Sequence, residues 1–144
     1  MKETICTITG MVGAAFTSLL GGWDTSLLVL CMFMGVDYIT GLICAGVFHA
    51  SPKSKSGSLE SKASFKGLVR KGVALLIVLV AHHLDLVLGI NYVRDAACIA
   101  FIVSEAISIT ENAGLMGVPV PKKLVQAIEL LQKKEDEDHG HKDS

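Results

Sequence analysis

The sequence predicts an all-α integral membrane protein with four transmembrane helices, or three if the first apolar segment does not cross the bilayer. Of the 144 residues, 51% are apolar, and the 13 basic and 14 acidic side chains lie in blocks instead of being spread evenly. A hydrocarbon core about 30 Å thick requires a helix of roughly 20 mostly apolar residues. Four segments of about that length carry few or no charges, namely residues 5–22, 25–48, 72–90 and 95–113.

Two other interpretations of these segments are open. A soluble bundle has a similar composition, but its surface helices alternate apolar and charged faces, and the stretches LLVLCMFMGV and VALLIVLVA have no charged face. A secretory signal peptide over the first segment would need a basic flank and a cleavage site. The flank MKET has one lysine, offset by Glu3, and no such site followed by a soluble domain is present. The membrane interpretation is therefore favoured.

The charged blocks predict the domain organisation and the orientation. Residues 1–120 are expected to form the transmembrane domain, with a basic loop over residues 49–71 that holds six cations and one acid. Short basic loops stay on the cytoplasmic side, so the loop and the C-terminus are both predicted to be cytoplasmic. Four cations of the loop are expected near the membrane surface, where they contact anionic head groups or lie in a solvated loop: Lys62, Lys66, Arg70 and Lys71.

Small residues recur every four positions in the first apolar segment. Ridges of this kind let helix backbones approach closely in lipid, although small residues are also common in membrane helices in general. The predicted packing ridge comprises Gly10, Ala14, Ser18 and Gly22.

The C-terminal part follows the sequence VPVP, which ends a helix because proline lacks an amide proton. Residues 121–132 predict a short amphipathic helix, with Leu124, Ile128 and Leu131 on one face. Residues 133–144 are charged and of low complexity, and they are predicted to be disordered.

The fourth apolar segment has a polar stripe. In a helix its polar side chains share an arc of about 120°, and they are Ser104, Glu105, Ser108, Glu111 and Asn112. The side opposite the stripe, which includes Ile102 and Ala106, is expected to face lipid. A charge in the middle of a bilayer costs roughly 2.5–3.5 kcal/mol, so the stripe should face other helices, other subunits or water.

Two further acids, Asp37 and Asp85, lie inside apolar segments and are expected at helix contacts, with His82 or His83 as a partner for Asp85. Two roles are open for all these polar residues: hydrogen bonding between helices, or lining a pore. Glu111 lies near the predicted cytoplasmic end, where its side chain can also reach the surface.

The sequence has no pattern typical of an enzyme. It lacks a glycine-rich phosphate loop, a nucleophile elbow and the spacing of a catalytic metal site. The basic loop contains one aromatic residue, so nucleic-acid binding is not expected. The four cysteines all lie in apolar segments and are predicted to be free thiols. No cofactor is predicted.

Four motifs in this order resemble the phage lysis and toxin-secretion holins of the holin 4 type. They are VDYITGLICA, SLESKASFKGLVRKG, AHHLD and SEAISITENAGLMGVPVPKKL. The resemblance covers residues 21–131, and its most specific parts are DYITG at 37–41 and EAISITEN at 105–112. Ser104 departs from the family, in which asparagine more often precedes the glutamate.

The resemblance implies a small phage-encoded protein of the host cytoplasmic membrane. Such a protein accumulates there, forms homo-oligomers at a set time and makes the membrane permeable. An endolysin then reaches the cell wall, without a necessary direct contact between the two proteins, and the cell lyses. The alternatives from other classes are a narrow ion channel or transporter subunit and a membrane scaffold.

Overall fold

The computed structural model describes residues 1–53 and 60–140, the last three by their backbone only. All regular structure in these residues is α-helical, which confirms the predicted all-helical class. The five helices are α1 (Lys2–Leu19), α2 (Thr25–Gly46), α3 (Ser61–Leu88), α4 (Val93–Leu115) and α5 (Lys122–Gly140).

Helices α2, α3 and α4 form a bundle in which α4 is the central element. α2 packs along α4, α3 also packs against α4, and α2 and α3 meet over a shorter stretch. Leu27 and Leu30 of α2, Val78 of α3 and Cys98 of α4 are fully buried between them. Each of these helices therefore has one face in the core, and α4 places Glu105 and Asn112 in contact with the other two.

The outer surface of the bundle is apolar. α2 and α3 are long and apolar enough to cross a membrane, yet only 28% and 22% of their most apolar stretches are buried inside the protein. A core helix of a soluble protein would bury most of such a stretch, and soluble monomers rarely expose apolar patches this large. The exposed side chains include Met32, Val36, Ile39 and Ile43 on α2 and Leu76, Ile77, Val80 and Leu84 on α3. This surface suits contact with lipid.

Two of the described helices, not four, have the length and composition of a membrane span. α1 begins with Lys2 and Glu3 and is rich in small polar residues. α4 carries four ionisable side chains: Arg94, Asp95, Glu105 and Glu111. Four crossings therefore stay a prediction.

Two helix boundaries differ from the expected ones. The predicted loop over residues 49–71 is wrong from Ser61 onward, because residues 61–71 contain one glycine and no proline and continue as helix into the apolar segment. The predicted disorder is also wrong for residues 133–140, since α5 extends to Gly140. Opposite charges four residues apart, such as Lys133 and Glu137, favour this extension. Residues 141–144 lie outside the described residues.

Helix α1 stands apart from the bundle. None of its residues is buried, and only Thr17 is half-buried. Gly22, the fourth member of the predicted packing ridge, lies beyond the end of α1 in a turn with a φ of 90°. The ridge on the helix is therefore limited to Gly10, Ala14 and Ser18, and all three are exposed.

Replacing Leu30 with alanine is expected to destabilise the bundle by about 2–5 kcal/mol, the usual range for a buried leucine, because Leu30 is 0% exposed. Reversible unfolding in mixed detergent micelles, followed by circular dichroism, measures this. The matched control is Met32→Ala on the same helix, where a side chain 57% exposed should leave stability nearly unchanged. Equal losses in both variants would contradict the proposed core.

Candidate functional site

Lys71 joins three helices through a buried pair of ionic contacts. Its Nζ donates hydrogen bonds to Oδ2 of Asp37 and to Oε2 of Glu105, each at 2.7 Å. The side chains of Asp37, Lys71 and Glu105 are 5%, 15% and 14% exposed. Because these residues come from α2, α3 and α4 in turn, one ammonium group connects the whole bundle.

Asn112 extends this group along α4. Its Nδ2 donates to Oδ1 of Asp37 at 3.1 Å and to Oγ1 of Thr40 at 3.0 Å. Asn112 is buried, so its amide group depends on these partners. We refer to Asp37, Lys71, Glu105 and Asn112 as the Lys71 cluster.

The Lys71 cluster lies well inside the bundle along its axis. Asp37 follows the first residue of α2 by twelve residues, and Glu105 follows the first residue of α4 by the same number. At 1.5 Å per residue each carboxylate is about 18 Å from the end where α2 and α4 begin. In a hydrocarbon layer about 30 Å thick this is an interior position, where charges are tolerated when they are paired.

At the opposite end of the bundle, Arg94 ties α4 to the turn between α1 and α2. Its Nη1 donates to Oδ2 of Asp24 at 2.6 Å, its Nη2 donates to the carbonyl of Gly22 at 3.0 Å, and its Nε donates to the carbonyl of Leu20. The arginine side chain is 7% exposed. A planar guanidinium with five donors can hold several acceptors of one turn at once.

Asp85 completes this end by capping α4 from a neighbouring helix. Its two carboxylate oxygens accept hydrogen bonds from the backbone amides of Val93 and Arg94, at 2.9 and 3.0 Å. A carboxylate at a helix N-terminus is also favoured by the helix dipole. The sequence offered His82 or His83 as the cationic partner of Asp85. Nδ1 of His83 lies 2.8 Å from the carbonyl of Leu79, so of the two histidines only His82 stays a candidate for this role. We refer to Asp24, Asp85 and Arg94 as the Arg94 junction.

The turn at the Arg94 junction requires glycine at position 21. Gly21 has a φ of 97°, and a Cβ atom there would lie 2.6 Å from Nε of Arg94 and 2.7 Å from Nδ1 of His82. Both the backbone conformation and the space exclude a side chain. The close approach brings the arginine onto the carbonyl groups of the turn.

Asp24 has two functions at the Arg94 junction. It caps α2, because its Oδ1 accepts a hydrogen bond from the amide of Leu27 at 3.0 Å. The hydrogen bond from Arg94 lowers the pKa of the Asp24 carboxyl below its ordinary value. The charged form of Asp24 is therefore the one that the folded protein stabilises.

The predicted polar residues separate into three places. Asp37, Glu105 and Asn112 come together in the Lys71 cluster, and Ser108 lines a cavity beside it. Asp85 lies at the opposite end of the bundle, in the Arg94 junction. Ser104 and Glu111 are exposed, so the polar stripe does not act as one face.

Two expectations about faces are corrected by the structure. Lys71 is not a surface cation, because both of its carboxylate partners are inside the bundle, whereas Lys62, Lys66 and Arg70 are exposed on the first turns of α3. The side of α4 expected to face lipid is partly internal, with Ile102, Val103 and Ala106 buried. Their small or branched side chains pack into the core while the polar residues pair with α2 and α3.

Sequence reasoning did not identify Lys71, Asp24 and Arg94 as partners of buried groups. A signal for them exists, since each is a charged residue at the edge of an apolar segment. An ionisable group at such an edge can enter the bundle when a neighbouring helix supplies a partner of opposite charge. Only the packing of the helices shows which partner it is.

An apolar outer surface around paired internal charges defines a helical membrane protein. Within that class, residues 14–133 match the model of the bacteriophage holin family. The chain therefore belongs to this family, as its motifs indicated.

Known proteins agree with the assignment. The chain is 40% identical over 128 residues to an uncharacterized protein of Halalkalibacterium halodurans, and the aligned region covers 85% of this chain and 89% of that protein. It is 39% identical over 132 residues to an uncharacterized protein of Listeria monocytogenes, and this alignment covers 91% of the chain and 89% of the relative. A probable holin of Bacillus phage phi105 is 32% identical to the chain over 103 residues, which are 71% of the chain and 70% of the phage protein. No solved structure shows significant similarity to the chain.

Removing the ammonium of the Lys71 cluster is expected to destabilise the bundle. Lys71→Met leaves two buried carboxylates without their cation and should cost about 3 kcal/mol, measured by unfolding in mixed micelles. The triple variant Lys71→Met, Asp37→Asn, Glu105→Gln should recover much of this loss, because it leaves no unpaired charge. Lys62→Met, at an exposed position of the same helix, is the control. If Lys71→Met behaves like Lys62→Met, the cluster does not stabilise the fold.

The ion pair of Asp24 predicts a pH dependence of known sign. The pKa of Asp24 is lowered in the folded state from 3.8, so its stabilisation is complete above that value and is lost as the pH falls through the lower, folded pKa. Asp24→Asn keeps the helix cap and removes the charge. The difference in Tm between the wild type and this variant should therefore shrink between about pH 6 and about pH 2.

Asp95→Asn serves as the control for this pH series. Oδ1 of Asp95 lies 3.7 Å from Nη1 of Arg94, but the Asp95 side chain is 58% exposed. The Tm of Asp95→Asn should therefore be closer to that of the wild type than the Tm of Asp24→Asn is, throughout the pH range where Asp24 is ionised. A Tm difference for Asp24→Asn that stays constant over the series would contradict the role of the ion pair.

Proposed function

We propose that this chain is a holin that oligomerises in the cytoplasmic membrane and makes it permeable, so that a cell-wall hydrolase reaches its substrate. Family membership and the similarity to a probable phage holin support this function. The observation that carries the proposal is the Lys71 cluster. Three apolar helices enclose two carboxylates, an ammonium and an amide that serve no catalytic pattern and are costly unless paired.

The paired state accounts for harmless accumulation in the membrane. In the part of the chain that the structure describes, no buried side-chain nitrogen or oxygen lacks a hydrogen-bond partner. A single copy therefore offers lipid an apolar surface and keeps the charges of the Lys71 cluster internal. A protein in this state can be inserted without opening a path for water.

The same contacts supply a polar lining when the bundle opens. α2 and α3 touch each other over a short stretch, and Lys71 links α3 to Asp37 and Glu105. Separation of α3 from the other two helices would expose these carboxylates together with Ser108 and Asn112. In an oligomer those groups would face water or the equivalent groups of neighbouring copies.

Helix α1 supports the proposed oligomerisation. It is an apolar helix with no buried residue, and three small residues at spacings of four, Gly10, Ala14 and Ser18, allow close packing of helices in lipid. We place the contact between copies along this ridge.

The proposed orientation is a cytoplasmic C-terminus. α3 begins and α4 ends at the same end of the antiparallel bundle, opposite the Arg94 junction. That end carries Lys53, the basic first turns of α3 and the lysines of α5. Because basic segments are retained in the cytoplasm, both sets of charges support one orientation.

The function is tested by inducing the protein together with a cytoplasmic muralytic enzyme and recording membrane potential and culture turbidity. A holin is expected to cause depolarisation followed at once by a fall in turbidity. Depolarisation without lysis would favour an ion channel or transporter subunit, and the absence of both changes would favour a scaffold. Either of these two results contradicts the proposal.

Changes at Glu105 should alter the timing of lysis in this assay. Glu105→Gln weakens the link to Lys71 but keeps a polar group for the lining, so it is expected to bring lysis forward. Glu105→Leu also breaks this link, but it leaves an apolar side chain where the hole needs a polar one, so it is expected to delay or abolish lysis. The control is Glu111→Gln, at an exposed position of the same helix, which should lyse at the wild-type time. Unchanged timing in both Glu105 variants would contradict the role of the Lys71 cluster in hole formation.

A further inference from the structure

A cavity lies between α2, α3 and α4 in the half of the bundle away from the Arg94 junction. Its volume is about 340 Å³, and Asp37, Lys71 and Glu105 form part of its wall. Binding sites for small ligands usually have volumes of about 300–1,000 Å³. The cavity is therefore large enough for a small polar head group.

The rim of the cavity has an excess of positive charge. Among the residues that the structure describes, Lys53, Lys66 and Arg70 lie on it, against one rim carboxylate, Glu60. Lys71, deeper in the cavity, is already paired with two carboxylates. An anion at the rim would therefore meet net attraction, whereas an anion at the level of Lys71 would also meet Asp37 and Glu105.

The wall of the cavity has both polar and apolar parts. The hydroxyl groups of Ser64 and Ser104 line it together with the rim cations, and Leu42 and Phe101 supply apolar surface. The outer surface of the same helices is apolar as well. A ligand that fits both parts has a phosphate at one end and hydrocarbon at the other.

We propose that this cavity binds the phosphate head group of one anionic phospholipid, with Lys66 and Arg70 as its main charged contacts. Arginine holds phosphate oxygens through paired hydrogen bonds, and lysine acts as a point charge. The inference rests on the membrane location in the proposed function, but not on hole formation. Free phosphate shares the same chemistry, and the experiment distinguishes the two sources.

The test uses the full chain in detergent, titrated with phosphatidylglycerol, phosphatidylcholine or inorganic phosphate and observed by native mass spectrometry. We expect phosphatidylglycerol to bind about tenfold more tightly than phosphatidylcholine, with inorganic phosphate as a weak competitor. The double variant Lys66→Gln, Arg70→Gln should lose about tenfold in affinity for phosphatidylglycerol. Lys62→Gln lies on the same helix and does not line the cavity, so it should bind within about twofold of the wild type.

A second variant separates the cavity from general surface charge. Ser104→Phe fills the cavity from an exposed position on its wall and leaves every charge in place. It should lose affinity as the double variant does, and circular dichroism checks that both variants are folded. If the double variant is unfolded, two other measurements test the inference. They are the affinity of Ser104→Phe for phosphatidylglycerol and the preference of the wild type for phosphatidylglycerol over phosphatidylcholine.

Three results would overturn the inference. Equal losses in Lys62→Gln and in the double variant would indicate attraction by surface charge alone. Wild-type binding by Ser104→Phe would show that the cavity is not the site. Displacement of the lipid by equimolar inorganic phosphate would indicate a site for free phosphate. None of these depends on lysis, so failure of the holin assay is distinguishable from failure of lipid binding.

Discussion

The contact of Lys71 with Asp37 and Glu105 is the interaction on which the rest of the structure depends. Each of the three bundle helices supplies one ionisable group, and each group would be costly in lipid without the other two. Two carboxylates share one ammonium, so the fully ionised cluster has a formal charge of −1. The amide of Asn112 stabilises Asp37 further. Helix association in this bundle is thus tied to charge pairing as well as to packing.

The two ends of the bundle differ in how they are held. The Arg94 junction fixes the end where α2 and α4 begin, because one guanidinium holds a whole turn and Asp85 caps α4. At the other end α3 is connected to α2 mainly through Lys71, and a cavity separates the helices. In the proposed function, this asymmetry favours opening at the Lys71 end while the Arg94 junction stays closed.

A holin has to be harmless until it opens the membrane. The closed bundle and the hole therefore place the same polar residues in different surroundings. In the bundle the apolar side chains face outward and the polar groups pair internally. In a hole, the polar groups would need contact with water. The cost of unpairing sets a barrier between these states, so the strength of the Lys71 cluster connects fold stability with the time of lysis in the proposed function.

The sequence by itself determined the helical class, the apolar segments and the membership in the holin family. These follow from local composition: uncharged runs of about 20 residues, the proline stop after α4, and the motifs DYITG and EAISITEN. It also marked Asp37, Glu105 and Asn112 as groups that need partners. The sequence did not determine the helical continuation over residues 61–71, because a run of lysine and serine beside an apolar segment is compatible with a loop as well as with a helix. Only the tertiary structure decided that Lys71 and Arg94 are those buried partners, since ionic contacts depend on helix rotation and register across 34 to 70 residues of chain.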